Sequence, residues 1–336
     1  MESKRIGKRT VKLNNQPVII GTSSVVGTKE GEGPLKDYFD VILEDDLWEE
    51  KSWEKAESKI TKTAISNAIE NAGKKLNEID LLLGGDLINQ IVPSSFSARD
   101  LDIPFLGIYG ACSTASEGLC IASMAIDGGF ADCVAVATSS HFCTAERQFR
   151  FPLEMGNQKP MTAQRTVTGS GSFVISNKGK GPKIKYFTVG KVIDKGIKDA
   201  NNMGAAMAPA AVDTIYSYFE DTKDNPNSFD YIITGDLGNL GSEILIDFLK
   251  QKGVDISKNH LDCGKEMFDF NEQDVHCGAS GCGCSATVFA GYIYKNMIKK
   301  KINKVMFVAT GALLSPISTL QKESIPSVAH AVIIEN

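Results

Sequence analysis

Two short runs in this 336-residue chain carry residue types suited to thiol chemistry. Gly110-Ala111-Cys112 leads into a stretch rich in Ser, Ala and Gly. A thiol there lies near unpaired amide N–H groups and the positive end of a helix dipole, which lowers a thiol pKa and stabilises an oxyanion. In His276-Cys277-Gly278-Ala279-Ser280-Gly281 a histidine adjoins a second glycine-rich turn, and cysteine with histidine makes a nucleophile with its base. At this level two readings of Cys112 stand: an activated nucleophile, or a small hydrophobe packed under a helix. Cys277, Cys282 and Cys284 beside His276 are metal-ligand types, but their spacing lacks the paired arms of structural zinc sites. No resident metal is expected.

These two turns belong to a larger pattern. Gly110 and Gly278 stand 168 positions apart, and other landmarks recur in the same order. Val18 to Thr22 is echoed by Phe187 to Lys191, and Ile79 to Leu87 by Phe229 to Leu237. Asp132 to Thr138 pairs with Asn303 to Thr310, and Ser172 to Asn177 with Ala331 to Asn336. Self-similarity at one large offset predicts an internal duplication, with halves at 1–178 and 179–336. Within each half, short apolar runs ending in Gly or Thr read as strands of a mainly parallel sheet. Helices are predicted from Trp53 to Ala72, Ser113 to Ile126, Ala208 to Phe219 and Ala286 to Ile298. The fold class is α/β, two pseudo-symmetric halves packed as one body.

Composition narrows the function. With 42% hydrophobic and 23% charged residues the chain buries a large core. A net charge of -5 argues against a nucleic-acid surface. The basic run Lys299-Lys300-Lys301 follows a helix, where cations suit the dipole. Eight cysteines lie mostly inside predicted elements, as expected of reduced thiols in an intracellular protein. No apolar run approaches the length of a membrane span and no apolar signal core opens the sequence, so the chain is expected to be soluble.

Gly110-Ala111-Cys112-Ser113-Thr114, the His276 to Gly281 turn, the duplication, and Arg165-Thr166-Val167-Thr168-Gly169-Ser170-Gly171 together resemble the thiolase superfamily, which includes the ketoacyl-carrier-protein synthases. From about Val18 to the C-terminus the chain is most similar to the sporulation branch of that superfamily. The resemblance implies a layered αβαβα body with Cys112 at the acyl-accepting cysteine and the amides at Cys112 and near Gly311 in the oxyanion region. It also implies that His276 falls close to the histidine or asparagine before the second turn. The third catalytic position falls near Gly235 to Asn239, where the superfamily has a histidine or asparagine and this chain has Asp236. A carboxylate beside a thiolate raises the thiol pKa and repels an enolate. The catalytic set reads as incomplete.

The sporulation branch is associated with binding dipicolinic acid (pyridine-2,6-dicarboxylic acid), free or as its calcium chelate, and with its uptake into the developing spore alongside membrane proteins of the same operon. The resemblance therefore implies a binding protein on an enzyme fold, attached peripherally to the spore inner membrane through partners. A planar dianion calls for amide donors, one or two cations and an apolar slot. The candidates are Cys112, the helix mouths at Ser113 and at Gly278, Ser280 and Gly281, with Arg147, Arg150, Arg165, Asp236, His276 and Gly311; an accompanying calcium would suit Asp236. Two other readings remain: an acyltransferase or condensing enzyme using Cys112, and a scaffold presenting the acidic segment from Lys29 to Lys55 with Trp48 and Trp53. The superfamily also implies a homodimer, for which Ser139 to Thr144 is a candidate surface.

Overall fold

The structure, a computed structural model, describes residues 4–150 and 158–336. Ten of the twelve strands of its main sheet follow one another side by side: β1 (Val18–Val26), β2 (Leu81–Gly85), β3 (Phe105–Gly107), β4 (Cys133–Ser140), β5 (Gly169–Ser176), β6 (Lys183–Thr188), β7 (Tyr231–Thr234), β8 (His260–Asp262), β9 (Lys304–Ala312) and β10 (Ser327–Glu335), while the short strands Thr10–Lys12 and Val41–Ile42 pair with β6 and β1. Their lateral order is β8-β7-β9-β10-β6-β1-β5-β4-β2-β3. Counted outward from the centre, each half repeats one sequence of strands: first, fifth, fourth, second, third. The halves join where Val18 of β1 meets Lys183 of β6.

Three neighbouring strands in each half run parallel, as their apolar character predicts. The mainly parallel reading misses β5 and β10, which run antiparallel to both neighbours. Both are interior strands buried on two faces, and burial pattern carries no information about strand direction.

Helices α1 (Trp53–Asn71) and α5 (Met203–Thr222) cover the outer faces of the two halves. Helices α3 (Thr114–Asp127) and α7 (Cys282–Val288) lie between them. Helix α3 packs on β4 of its own half and on β9 and β10 of the other, while α7 packs on β4 and β5 of the first half. The layers are therefore αβαβα. Small residues permit this central layer: Ala115, Gly118, Ala122 and Ser123 of α3 and every residue of α7 are buried. A side chain at Gly118 would strike Val136 of β4.

Helix α5 begins at Met203, a turn earlier than predicted, because Pro209 lies inside it rather than at its start. The last predicted helix is interrupted by a π-helical stretch, Phe289–Ile293. Three helices of eight residues or more lie outside the predicted set, α2 (Val92–Leu101), α4 (Phe142–Phe149) and α6 (Gly238–Gln251). Trp48 and Trp53 are half-buried, with Lys59 and Arg147 over their rings. Ser139, Ser140 and His141 are fully buried and Thr144 nearly so, which removes most of that segment as a dimer surface. The edge strand β3 instead exposes Leu106, and Tyr109 just beyond it is exposed too. Among the described residues no helix is long and apolar enough to cross a membrane.

Candidate ligand-binding site

Between β3 and α3 the chain turns sharply, with Ala111 in the left-handed region at φ 50°. Side chains lock the turn. Ser113 Oγ donates to the Gly110 carbonyl at 2.7 Å and Thr114 Oγ1 to the Ala111 carbonyl at 2.6 Å, while the Gly110 amide donates to Thr114 Oγ1 at 3.0 Å. From beneath, Gly311 of β9 presses on the turn so closely that any Cβ there would overlap the Gly110 carbonyl oxygen. Gly311 is thus a packing requirement, and the cleft wall beyond it is Ala312. Cys112 lands at the mouth of α3, 5% exposed.

Asp236, between β7 and α6, is fully buried against Cys112. Its carboxylate accepts from the Gly281 amide at 3.0 Å, Ser280 Oγ at 3.2 Å and Thr310 Oγ1 at 2.9 Å, and also hydrogen-bonds the Cys112 thiol. Burial pushes the Asp236 pKa up to about 6 against the pull of those donors. The Cys112 thiol lies well above its ordinary value, first because burial disfavours the thiolate and then because Asp236 opposes it. The helix dipole was expected to lower it; desolvation and a like charge outweigh the dipole.

This arrangement also revises the expected roles of both helix mouths. The anion held by the Gly281 amide is Asp236 itself, and the Ser113 amide donates to the Gly110 carbonyl at 3.1 Å. Neither amide is free for a ligand. With four donors around it, Asp236 is poorly placed to coordinate calcium, and among the described residues no group of three or more His, Cys, Asp or Glu side chains could hold a metal ion. Cys282 and Cys284 instead point their thiols at the Ala111 and Gly235 carbonyls.

A narrow cleft opens over Cys112, lined mainly by Leu87, Tyr109, Phe149, Met203 and Leu314, with Thr166 and Ser280 as its polar wall. Its void is about 30 Å³, room for one or two waters. Arg150 also lines it, with its side chain only 4% exposed, paired to Glu146 and donating to Thr166 Oγ1 at 3.2 Å. Lys159 pairs with the same Glu146 at 3.1 Å. Glu146 thus bridges Arg150, which lines this cleft, and Lys159, which does not.

The remaining predicted residues lie elsewhere. Arg147 is half-exposed, paired with Glu54 and stacked over Trp53. Gly278, at φ 113°, packs on the Gly264 carbonyl. Arg165 and Thr166 pair in parallel with Ala279 and Ser280 as a two-stranded ribbon. Thr166 and Ser280 line the Cys112 cleft, whereas Arg165 and His276 line a different hollow with Phe142, Gln158, Lys159 and Asp274. The His276 ring is engaged there by the Pro160 carbonyl and by Asp274 Oδ1, each at 2.9 Å. The predicted Cys112 and His276 pair is therefore not assembled, since the residue stands at φ 50° on the far side of the ribbon.

Sequence reasoning missed Tyr109, Phe149 and Met203, whose only signal is adjacency to Gly110, to Arg150 and to the start of α5. It also missed two buried carboxylates. Glu57 accepts from Ser139 and Thr144, and Asp86 from Ser94, and burial raises both pKa values, that of Asp86 to about 6. The interior behind the cleft is acidic.

A sequence profile described as Stage V sporulation protein AD matches residues 7–335. The chain is 46% identical over 332 residues to Stage V sporulation protein AD of Bacillus subtilis (strain 168), covering 99% of this chain and 98% of that protein. Among solved structures it resembles 3-oxoacyl-[acyl-carrier-protein] synthase III from Aquifex aeolicus VF5, with 14% identity, a TM-score of 0.58, and 95% of this chain and 100% of that one covered. A variant of OleA from Xanthomonas campestris gives 14% identity, a TM-score of 0.63, and 96% and 99% coverage. At such identities the structural likeness concerns the thiolase-type fold alone.

Proposed function

Because this chain belongs to the Stage V sporulation protein AD family, we propose that it binds dipicolinate in the cleft over Cys112 and supports its uptake into the developing spore alongside membrane proteins of the same operon. The observation that carries this reading is the cleft wall, where a narrow aromatic and apolar slot ends at a buried arginine paired with Glu146. One ligand carboxylate meets Arg150 and Thr166; the ring lies between Tyr109 and Phe149. The void is too small for the ligand as it stands, so Met203 swings aside on its flexible stem. Any calcium travels on the ligand's own carboxylates, because the oxygens of Asp236 are occupied. The protein acts as a homodimer paired along the β3 edge and sits at the spore inner membrane through its partners.

Acyl transfer is the second reading, favoured by the left-handed turn at Ala111 that sets Cys112 at a helix mouth. Against it stand the raised thiol pKa, the buried Asp236 and the absence of His276 from the cleft. Calorimetric titration with dipicolinate tests the first reading. Saturable heat in the wild type, weakened at least tenfold in Arg150→Gln, supports it; no saturable heat sinks it. For the second reading, incubation with acetyl-CoA and weighing of the protein should give no adduct, whereas an adduct lost in Cys112→Ala would establish acylation.

A further inference from the structure

The hollow on the far side of the ribbon is a separate cavity of about 370 Å³, walled by Phe142, Lys159, Gln164, Arg165, Asp274 and His276. Its electrostatics differ from those of the Cys112 cleft. Among the described residues Arg165 has no ion pair; its guanidinium carbon sits over Phe142, 3.7 Å from the ring centroid, and its Nε is buried without a hydrogen-bond partner. The stacking holds a planar cation in place and leaves its in-plane donors unused. Lys159, paired with Glu146 at 3.1 Å, adds a second cation 4.9 Å from the centroid of the same ring.

Gln164 contributes the opposite polarity. Its Nε2 donates to the Asp236 carbonyl at 2.6 Å and to the Ala279 carbonyl at 2.7 Å, which fixes the orientation of the amide because both neighbours are acceptors. Its Oε1 is then left buried with no donor, on a residue only 3% exposed. A buried unpaired donor and a buried unpaired acceptor in one wall each carry the cost of desolvation. A ligand with both an anionic oxygen and a hydroxyl satisfies both. Among the described residues lining the hollow the one acid is Asp274, its side chain 86% exposed and directed at His276; Glu146 and the buried Glu30 act on Lys159 and Arg165 from outside the lining.

We propose that this hollow is a second anion site, specific for a phosphate group, free or as a monoester, held by Arg165 and Lys159 with a protonated oxygen turned toward Gln164. Inorganic phosphate near neutral pH retains a proton to donate and sulfate does not; a monoester is then largely an unprotonated dianion, and a hydroxyl of its alcohol takes that part. The hollow is a different cavity from the Cys112 cleft, which neither Arg165 nor Lys159 lines, and the two are linked through Glu146.

The full-length chain is titrated with inorganic phosphate, glycerol 3-phosphate and sulfate, followed by calorimetry, with thermal melting to verify that each variant is folded. Saturable phosphate binding is expected, several-fold tighter than sulfate binding. Arg165→Gln should weaken it at least tenfold, as loss of a charged donor does. Asp274→Asn should strengthen it, because a like charge disappears and His276 Nε2 is released; its exposed position makes this variant safe for folding. Tighter binding of glycerol 3-phosphate identifies a monoester as the ligand, and equal binding identifies the free ion. No saturable phosphate binding, affinity unchanged in both variants, or sulfate binding as well as phosphate would each overturn the proposal.

Discussion

Replacing Asp236 with asparagine should alter how stability depends on pH, in a direction the structure fixes. Asp236 is buried and its carboxyl pKa is raised from 3.8 to about 6. Well below pH 3.8 the group is neutral in both folded and unfolded chains. Above pH 6 it is ionised in both, and the folded chain alone bears a desolvated charge. Its contribution to stability is therefore present below the unfolded value and lost as pH rises through about 6. The gap between 3.8 and about 6 corresponds to about 3 kcal/mol. Asparagine removes that loss while keeping most of the hydrogen bonds: its carbonyl accepts from Ser280 and Gly281, and its amide faces Thr310, whose hydroxyl can accept instead. Urea unfolding of both proteins at pH 4 and pH 7.5 gives the difference in unfolding free energy at each. That difference should move in the variant's favour by about 2.4 kcal/mol between the two pH values, because the unfolded carboxyl is already more than half ionised at pH 4. A difference independent of pH would refute the raised carboxyl, and with it the reading of Cys112 as a thiol opposed by a buried acid.

Other perturbations separate packing from binding. Gly311→Ala should destabilise the protein by about 2 kcal/mol or more in the same urea assay, because its methyl overlaps the Gly110 carbonyl. His276→Ala should leave dipicolinate affinity within about twofold by calorimetry, since His276 lines the other hollow; a large loss would mean the ligand reaches across the ribbon. Sedimentation should show a dimer, and Leu106→Asp on the exposed β3 edge should convert it to a monomer; a dimer unaffected by that charge would place the interface elsewhere.

Much of the architecture is legible in the sequence because a duplication states it twice. Echoes such as Ile79 to Leu87 and Phe229 to Leu237 fall on β2 and β7, which occupy equivalent places in the two halves. The direction of β5 and β10 is not legible, since a strand buried on both faces has no polar side to orient it. Helices α2, α4 and α6 escape notice for different reasons: α2 carries Pro93 in its first turn, α4 is only eight residues long, and α6 opens on the glycines of the Asp236 loop. For the site, the sequence marks Cys112 and Asp236 and the structure brings them together. It also marks His276 and Arg165, which a single ribbon turns away from the cleft. Two residues in succession on a strand face opposite sides, so Thr166 and Arg165 serve different cavities, and no spacing rule assigns which.

Crystals of the full-length protein soaked in dipicolinate would test the central claim most directly. The expected result is ligand density in the cleft over Cys112, its ring between Tyr109 and Phe149, a carboxylate on Arg150, and Met203 displaced. Density confined to the Arg165 hollow, or an unchanged cleft at saturating ligand, would contradict it.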